Sequence, residues 1–156
     1  MRALGLVVVA VVTAATAPAA FAGRVTFKVT SVAVLVKPTD VAPKGTSKGD
    51  TVEYRDRLVN VGAAFGRPKG AAVGSDHGTM TFTGRNTATF AGVARLPGGT
   101  LRLQGVVVPL PNRSFAIPVK GGTGRFAEAK GYLIVGPGDK RALNTYALTL
   151  PAAPVA

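Results

Sequence analysis

Short stretches in which apolar and polar side chains alternate recur along the chain from residue 24 onward. In the clearest of them, residues 51–60, the side chains of Val52, Tyr54 and Leu58 alternate with charged ones. Similar runs cover residues 24–37, 79–83, 87–96, 100–109, 114–119, 131–135 and 142–150. Because side chains along a β-strand point alternately to its two faces, each run predicts a strand with one buried face. No comparable stretch has helical spacing, so we predict an all-β chain of about eight strands.

Glycine and proline clusters separate these runs and predict the turns. Residues 38–50 and 62–74 are expected to be loops, residues 74–78 a turn, and residues 97–99 a hairpin turn. The segment 121–131 holds three glycines within four residues and lies between two predicted strands. A phosphate-binding loop must open a helix after its strand, so we interpret this segment as a tight corner instead. The spacing of strands and turns fits an antiparallel barrel or a sandwich, and periodicity leaves both open.

The first 22 residues differ from the rest and predict a targeting segment. Arg2 precedes an uncharged stretch at residues 3–17, and Ala20-Phe21-Ala22 fits a small-x-small cleavage site before Gly23. The stretch is short for a membrane span, although a retained anchor is the alternative. We therefore expect a signal peptide at 1–22, a single domain at 23–150, a flexible tail at 151–156, and no integral membrane span after cleavage. The mature protein would be secreted or associated with the cell envelope.

The charge and the cysteine content exclude some classes of partner and site. The chain has 19 Lys and Arg against 7 Asp and Glu, a formal net charge of +12. These cations are scattered, without a basic stripe interleaved with aromatic residues, so we expect no nucleic-acid partner and ascribe the charge to solubility or adhesion to anionic envelope polymers. The absence of cysteine excludes thiolate metal sites and cysteine nucleophiles.

Asp56 is the strongest candidate for chemistry. The alternation places it on the same face as Tyr54 and Leu58, opposite the charged Glu53 and Arg55. A carboxylate on an inner face loses hydration, which raises its pKa and equips it to donate or accept a proton. The alternative is a buried aspartate that is hydrogen-bonded for structural reasons.

The remaining candidates are less specific. His77 is the only histidine, falls in the predicted turn, and lacks the partners of a catalytic triad or metal site, so we expect it to be solvated. Met80, Phe82 and Tyr146 are expected in the core, which in a hollow barrel would also be the lining of a ligand pocket together with Tyr54. No metal site is predicted.

Several segments, in order, resemble the allene oxide cyclase and dirigent proteins. Residues 49–58, Gly-Asp-Thr-Val-Glu-Tyr-Arg-Asp-Arg-Leu, look like a cyclase segment, and residues 121–131, Gly-Gly-Thr-Gly-Arg-Phe-Ala-Glu-Ala-Lys-Gly, look like the signature corner of both groups. The resemblance extends over residues 49–135. It implies an eight-stranded antiparallel, calycin-like β-barrel with an apolar cavity, no cofactor, and a homo-trimer or homo-dimer.

The resemblance also marks departures at individual positions. Asp56 stands where the cyclases usually have asparagine, Met80 where they have a cavity cysteine, and Lys130 where dirigent proteins have arginine. Plant members cyclise a fatty-acid epoxide or guide phenoxy-radical coupling. The resemblance implies the barrel and its pocket. Because of these departures, neither plant reaction is inferred for this chain.

Three functions follow as hypotheses. The first is an exported, cofactor-free isomerase, cyclase or stereochemical guide that binds a small apolar molecule, with Asp56 handling the proton. The second is a non-catalytic carrier of a lipid or other small molecule. The third is an envelope-associated structural protein whose barrel is filled by side chains.

Overall fold

The computed structural model describes residues 23–110, 112–138 and 140–151, which form eight β-strands and one short 3₁₀ turn. The strands are β1 (Gly23–Thr39), β2 (Thr51–Asn60), β3 (Ala72–Phe82), β4 (Ala88–Leu96), β5 (Gly99–Val107), β6 (Phe115–Gly122), β7 (Lys130–Val135) and β8 (Arg141–Leu150), and the 3₁₀ turn is Gly124–Phe126. The expected signal peptide lies outside the described residues, as does the expected tail apart from Pro151.

The strands pair antiparallel in chain order and close into a barrel. Closure comes from the long first strand, whose beginning pairs with β8 from Gly23 opposite Leu150, and whose end pairs with β2 up to Thr39 opposite Thr51. A shift of register between Ala33 and Leu35 bends β1 between these two partners. The predicted eight-stranded antiparallel barrel is confirmed, and the sandwich is excluded.

One predicted turn is wrong. Residues 74–78 belong to β3, and the strand runs without interruption to Phe82. The glycines in this segment serve close strand packing: a Cβ on Gly78 would lie 2.5 Å from the Phe90 ring, and a Cβ on Gly74 would lie 2.0 Å from the Arg95 carbonyl oxygen. Glycine in a strand often marks such a close approach of backbone or side chain.

The interior is closed at the end where β1 begins. The 3₁₀ turn inserts Phe126, which is 1% exposed, into this end. At the same end Phe27 stacks on the buried Tyr146 ring with centroids 4.8 Å apart, and Phe65 from the β2–β3 loop packs edge-on against Phe27 at 4.9 Å. The glycine-rich corner is therefore the structural corner predicted, and it also seals the barrel.

The outer surface of the described barrel carries most of its charge and also includes an uncharged area on β7. Arg55, Arg57 and Arg95 are exposed on β2 and β4. On the other side of the barrel, Tyr132 and Ile134 of β7 are 54% and 40% exposed. Among the described residues no helix has the length and apolar character needed to cross a membrane.

Candidate functional site

A cavity of about 370 Å³ occupies the half of the barrel opposite Phe126. Ligand pockets of proteins typically measure about 300 to 1,000 Å³, so this volume suits a small organic molecule. Its walls are mainly apolar and come from nearly every strand, including Met80, Phe90, Leu103, Ile117 and Leu133.

The cavity opens between the loops that follow β5 and β7. Leu110 and Pro137 form apolar parts of this rim, and Arg113, Lys140 and Arg141 add positive charge. These three cations are exposed. A molecule entering the barrel therefore passes a basic rim before it reaches the apolar walls.

Two aspartates lie side by side on the cavity wall. Asp56 of β2 and Asp76 of β3 are directly paired in the strand register, and both line the cavity. Directly opposed residues on antiparallel strands have Cβ atoms about 5 Å apart, so the two carboxyl groups are neighbours. Ser31, itself 4% exposed, donates a hydrogen bond from its Oγ to Oδ2 of Asp56.

The two carboxyl groups have different environments. Loss of solvent, followed by the charge of Asp56, raises the pKa of Asp76 from 3.8 to about 7. Loss of solvent also raises the pKa of Asp56, and the hydrogen bond from Ser31 opposes that change. Near neutral pH Asp76 is therefore partly protonated beside the Asp56 carboxyl group, and the pair can offer an acid and a base in the same cavity.

Strand β8 contributes two further polar side chains close to this pair. Asn144 lines the cavity and is 3% exposed, and its Oδ1 has no hydrogen-bond partner among the described residues. The hydroxyl of the fully buried Tyr146 also lacks a partner there. Burial, and then the charges of Asp76 and Asp56, raise the pKa of Tyr146, which places its hydroxyl within electrostatic reach of both carboxyl groups.

The structure brings some of the predicted site residues together and separates others. Tyr54, Asp56 and Met80 line the cavity. Phe82 is half-buried at the end of β3 and packs against the core without lining the cavity, and Tyr146 belongs to the core beneath it. Whether any of these residues contacts a ligand stays a prediction.

Asp76, Ser31 and Asn144 are site residues that the sequence analysis missed. Asp76 was hidden in the predicted turn, yet counting back from Met80 through Gly78 in steps of two places it on the inner face. His77 lies between Asp76 and Gly78 in the same strand, so it is not in a turn; it is exposed and also borders the cavity. Within the described chain, no group of three or more His, Cys, Asp or Glu residues could hold a metal ion.

Comparison with known proteins relates the barrel to solved structures. No family model and no curated protein sequence matches the chain. A pyocyanin demethylase superimposes with a TM-score of 0.68 at 25% identity, covering 80% of this chain and all of that one. A Diels–Alderase from Streptomyces koyangensis gives 0.65 at 20% identity, covering 84% of this chain and 65% of that one. A pterocarpan synthase dirigent protein gives 0.61 at 17% identity, covering 86% and 97%.

All three structures are barrels of the allene oxide cyclase and dirigent type. The resemblance inferred from residues 49–135 is thereby confirmed at the level of the fold. The chain spans just under two thirds of the length of the Diels–Alderase.

Proposed function

From a barrel of this type with two acids in its cavity, we propose that the protein is a cofactor-free isomerase or cyclase acting on a small, largely apolar molecule. Asp56 and Asp76 are its proton-transferring residues. The observation that carries the proposal is their direct pairing on the cavity wall, in environments that raise the pKa of both carboxyl groups, that of Asp76 to about 7.

The pair supports a reaction without net oxidation or reduction. The Asp56 carboxylate takes a proton from the substrate, and the Asp76 carboxyl group gives its proton to another substrate atom while a double bond shifts or a ring closes. The product then leaves with the proton count of the substrate. A proton passes from Asp56 to the neighbouring Asp76 and restores the starting state. Positioned acids and bases of this kind accelerate reactions by about 10² to 10⁴-fold.

The apolar walls supply the second part of catalysis. Met80, Phe90 and Ile117 enclose the substrate from three different strands. Holding a flexible molecule in its reactive conformation lowers the entropic part of the barrier. The similar structures support this role, since one is named as a Diels–Alderase and another as a pterocarpan synthase dirigent protein, and both have the same type of barrel.

A non-catalytic carrier is the second candidate. The cavity volume and the apolar walls suffice for binding and require no chemistry from the carboxyl groups. The third hypothesis, an envelope-associated structural protein, requires a barrel filled by side chains. The interior instead holds a cavity of about 370 Å³.

Solvent-deuterium incorporation separates the enzyme from the carrier. Small molecules are extracted from natively purified protein, identified by mass spectrometry, and incubated with fresh protein in D₂O. We expect a product with the formula of the extracted molecule, a different retention time, and deuterium taken from solvent. At saturating ligand, Asp56→Asn and Asp76→Asn should each lower turnover by about 10² to 10⁴-fold.

Glu53→Gln is the matched control, since it removes a carboxylate from the exposed face of the same strand. It should turn over at the wild-type rate. Recovery of the ligand unchanged and without deuterium would favour the non-catalytic carrier over the enzyme. Turnover that survives both aspartate substitutions would remove the proton-transfer role.

A further inference from the structure

Several buried polar atoms in and beside the cavity have no hydrogen-bond partner among the described residues. Oδ1 of Asp56 and Oδ1 of Asn144 are buried and have no partner among the described residues, and both residues line the cavity. Folded proteins satisfy most buried polar groups, so two unpaired acceptors in one cavity call for an explanation. A ligand that brings hydrogen-bond donors would provide one.

Within the described part of the chain, no lysine or arginine stands beside the two carboxyl groups. Facing them are Ser31 of β1, Tyr54 of β2, Ala94 of β4, and Asn144 and Tyr146 of β8. Among the described residues, no Lys, Arg or His side chain forms a hydrogen bond or an ion pair with either aspartate. The arginines of β2 and β4 are exposed on the outer face, and the cations of the cavity stand at its rim.

We propose, building on the proposed function, that the substrate is an amine or nitrogen heterocycle on an apolar body, and that its protonated nitrogen enters first and binds Asp56, Asp76 and Asn144. Buried charges are normally paired, and here the ligand completes the pair that the fold leaves open. Charge-assisted hydrogen bonds from the nitrogen to the carboxyl groups fix which end of the molecule lies deep.

An anionic group could not take the same place. Its negative charge would lie beside the Asp56 carboxylate, which repels it. The rim cations Arg113, Lys140 and Arg141 instead suit a negative or electron-rich end of the molecule. The cavity thus distinguishes the two ends of a polar ligand.

Three naphthalene probes of matched size test the proposal: 2-naphthylmethylamine, 2-naphthylmethanol and 2-naphthoate. The protein has no tryptophan, so naphthalene fluorescence reports binding with little background. We expect wild-type protein to bind the amine at least about tenfold more tightly than the alcohol, and the carboxylate no more tightly than the alcohol. In the Asp56→Asn/Asp76→Asn double variant the amine preference should fall to within about twofold, while alcohol affinity changes by less than about threefold.

Two further measurements test the proposal without the double variant. In wild-type protein, amine affinity should rise between about pH 5.5 and pH 8 as Asp76 ionises, and alcohol affinity should stay constant. The exposed-face variant Glu53→Gln should retain the full preference, because its carboxylate lies outside the cavity.

The possible outcomes have different consequences for the two proposals. Alcohol binding without an amine preference would overturn this inference and leave cavity binding intact. The same holds for a preference that survives in the double variant, or for tighter binding of the carboxylate than of the amine. If none of the probes binds, the proposed function and this inference fail together.

Discussion

Asp76 is a side chain whose ionisation the fold makes costly. It lies on the inner wall beside Asp56, and solvent loss and that neighbouring charge raise its pKa from 3.8 to about 7. In the unfolded chain the same carboxyl group would be solvated. The native state therefore binds a proton that the unfolded state releases across the range between these two values.

The stability of the barrel should consequently fall as pH rises. The contribution of Asp76 is fully present below about pH 3.8 and is lost as pH rises through about 7. Each pH unit of pKa displacement corresponds to about 1.4 kcal/mol, so after allowance for partial solvent contact the loss is on the order of 2 to 4 kcal/mol. Urea unfolding of wild type and Asp76→Asn between about pH 4 and pH 8 measures it.

In Asp76→Asn most of this fall should disappear, because the amide stays neutral at every pH. The exposed Glu53→Gln variant serves as control and should keep the wild-type slope. A wild-type free energy of unfolding that is constant from pH 4 to pH 8 would contradict the raised pKa.

Sequence could locate only part of this site. Asp56 was predictable because charged Glu53, Arg55 and Arg57 mark the outer face of β2 and thereby fix the inner one. Asp76 was not recognised because glycines on both sides imitate a turn, although they are required by close contact with β4. The meeting of the two acids depends on the β2–β3 register, which no local pattern encodes.

At the scale of elements, the glycine-rich corner between β6 and β7 does two things. It reverses the chain, and its 3₁₀ turn holds Phe126 in the end of the barrel. Gly124 has a φ of +58° and its backbone lies against the β4–β5 turn, where a Cβ would be 2.1 Å from the Gly98 carbonyl oxygen. Both the backbone angle and the packing require glycine here.

Gly124→Ala should therefore destabilise the barrel more than the backbone angle alone would. Strain at positive φ costs about 1 to 2 kcal/mol, and overpacking adds about 1 to 3 kcal/mol, so we expect a loss on the order of 3 kcal/mol. Gly45→Ala is the matched control: Gly45 has a φ of +92° with open space around it, so only the strain should appear. Equal losses in urea unfolding would show that the corner does not pack as described.

Most strands could be predicted from alternation, and their closure could not. The predicted runs match β2 and β8 closely, while β3 begins earlier and β1 extends to Thr39. The pairing of β1 with β8 joins residues at opposite ends of the domain, and periodicity leaves a barrel and a sandwich equally possible. Only the resemblance over residues 49–135 indicated the barrel.

At the scale of the whole molecule, export and self-association remain proposals. The expected signal peptide ends before Gly23, where β1 begins. Tyr132 and Ile134 of β7 are exposed, as are Leu143 on the adjacent β8 and Val106 of β5, which is separated from β7 by β6. This uncharged area on a strongly basic protein is the face that we propose for a homo-trimer or homo-dimer.

Native mass spectrometry of the protein recovered outside the cytoplasm tests both proposals. We expect a subunit mass corresponding to residues 23–156 and complexes of two or three copies, which Ile134→Lys should dissociate because it places a charge in the contact. The control Arg57→Lys keeps the charge on the opposite side. A subunit mass that includes residues 1–22 would favour the retained anchor, and a monomer would argue against the contact.

The seal formed by Phe126, Phe65 and Phe27 has a kinetic consequence. Because the described barrel is closed at that end, a ligand would enter and leave its cavity on the side of Arg113 and Lys140. In the proposed enzyme, substrate would enter and product would leave by the same opening. An incoming substrate could not displace the product through the closed end. Slow departure of the product would then set the pace of the whole cycle.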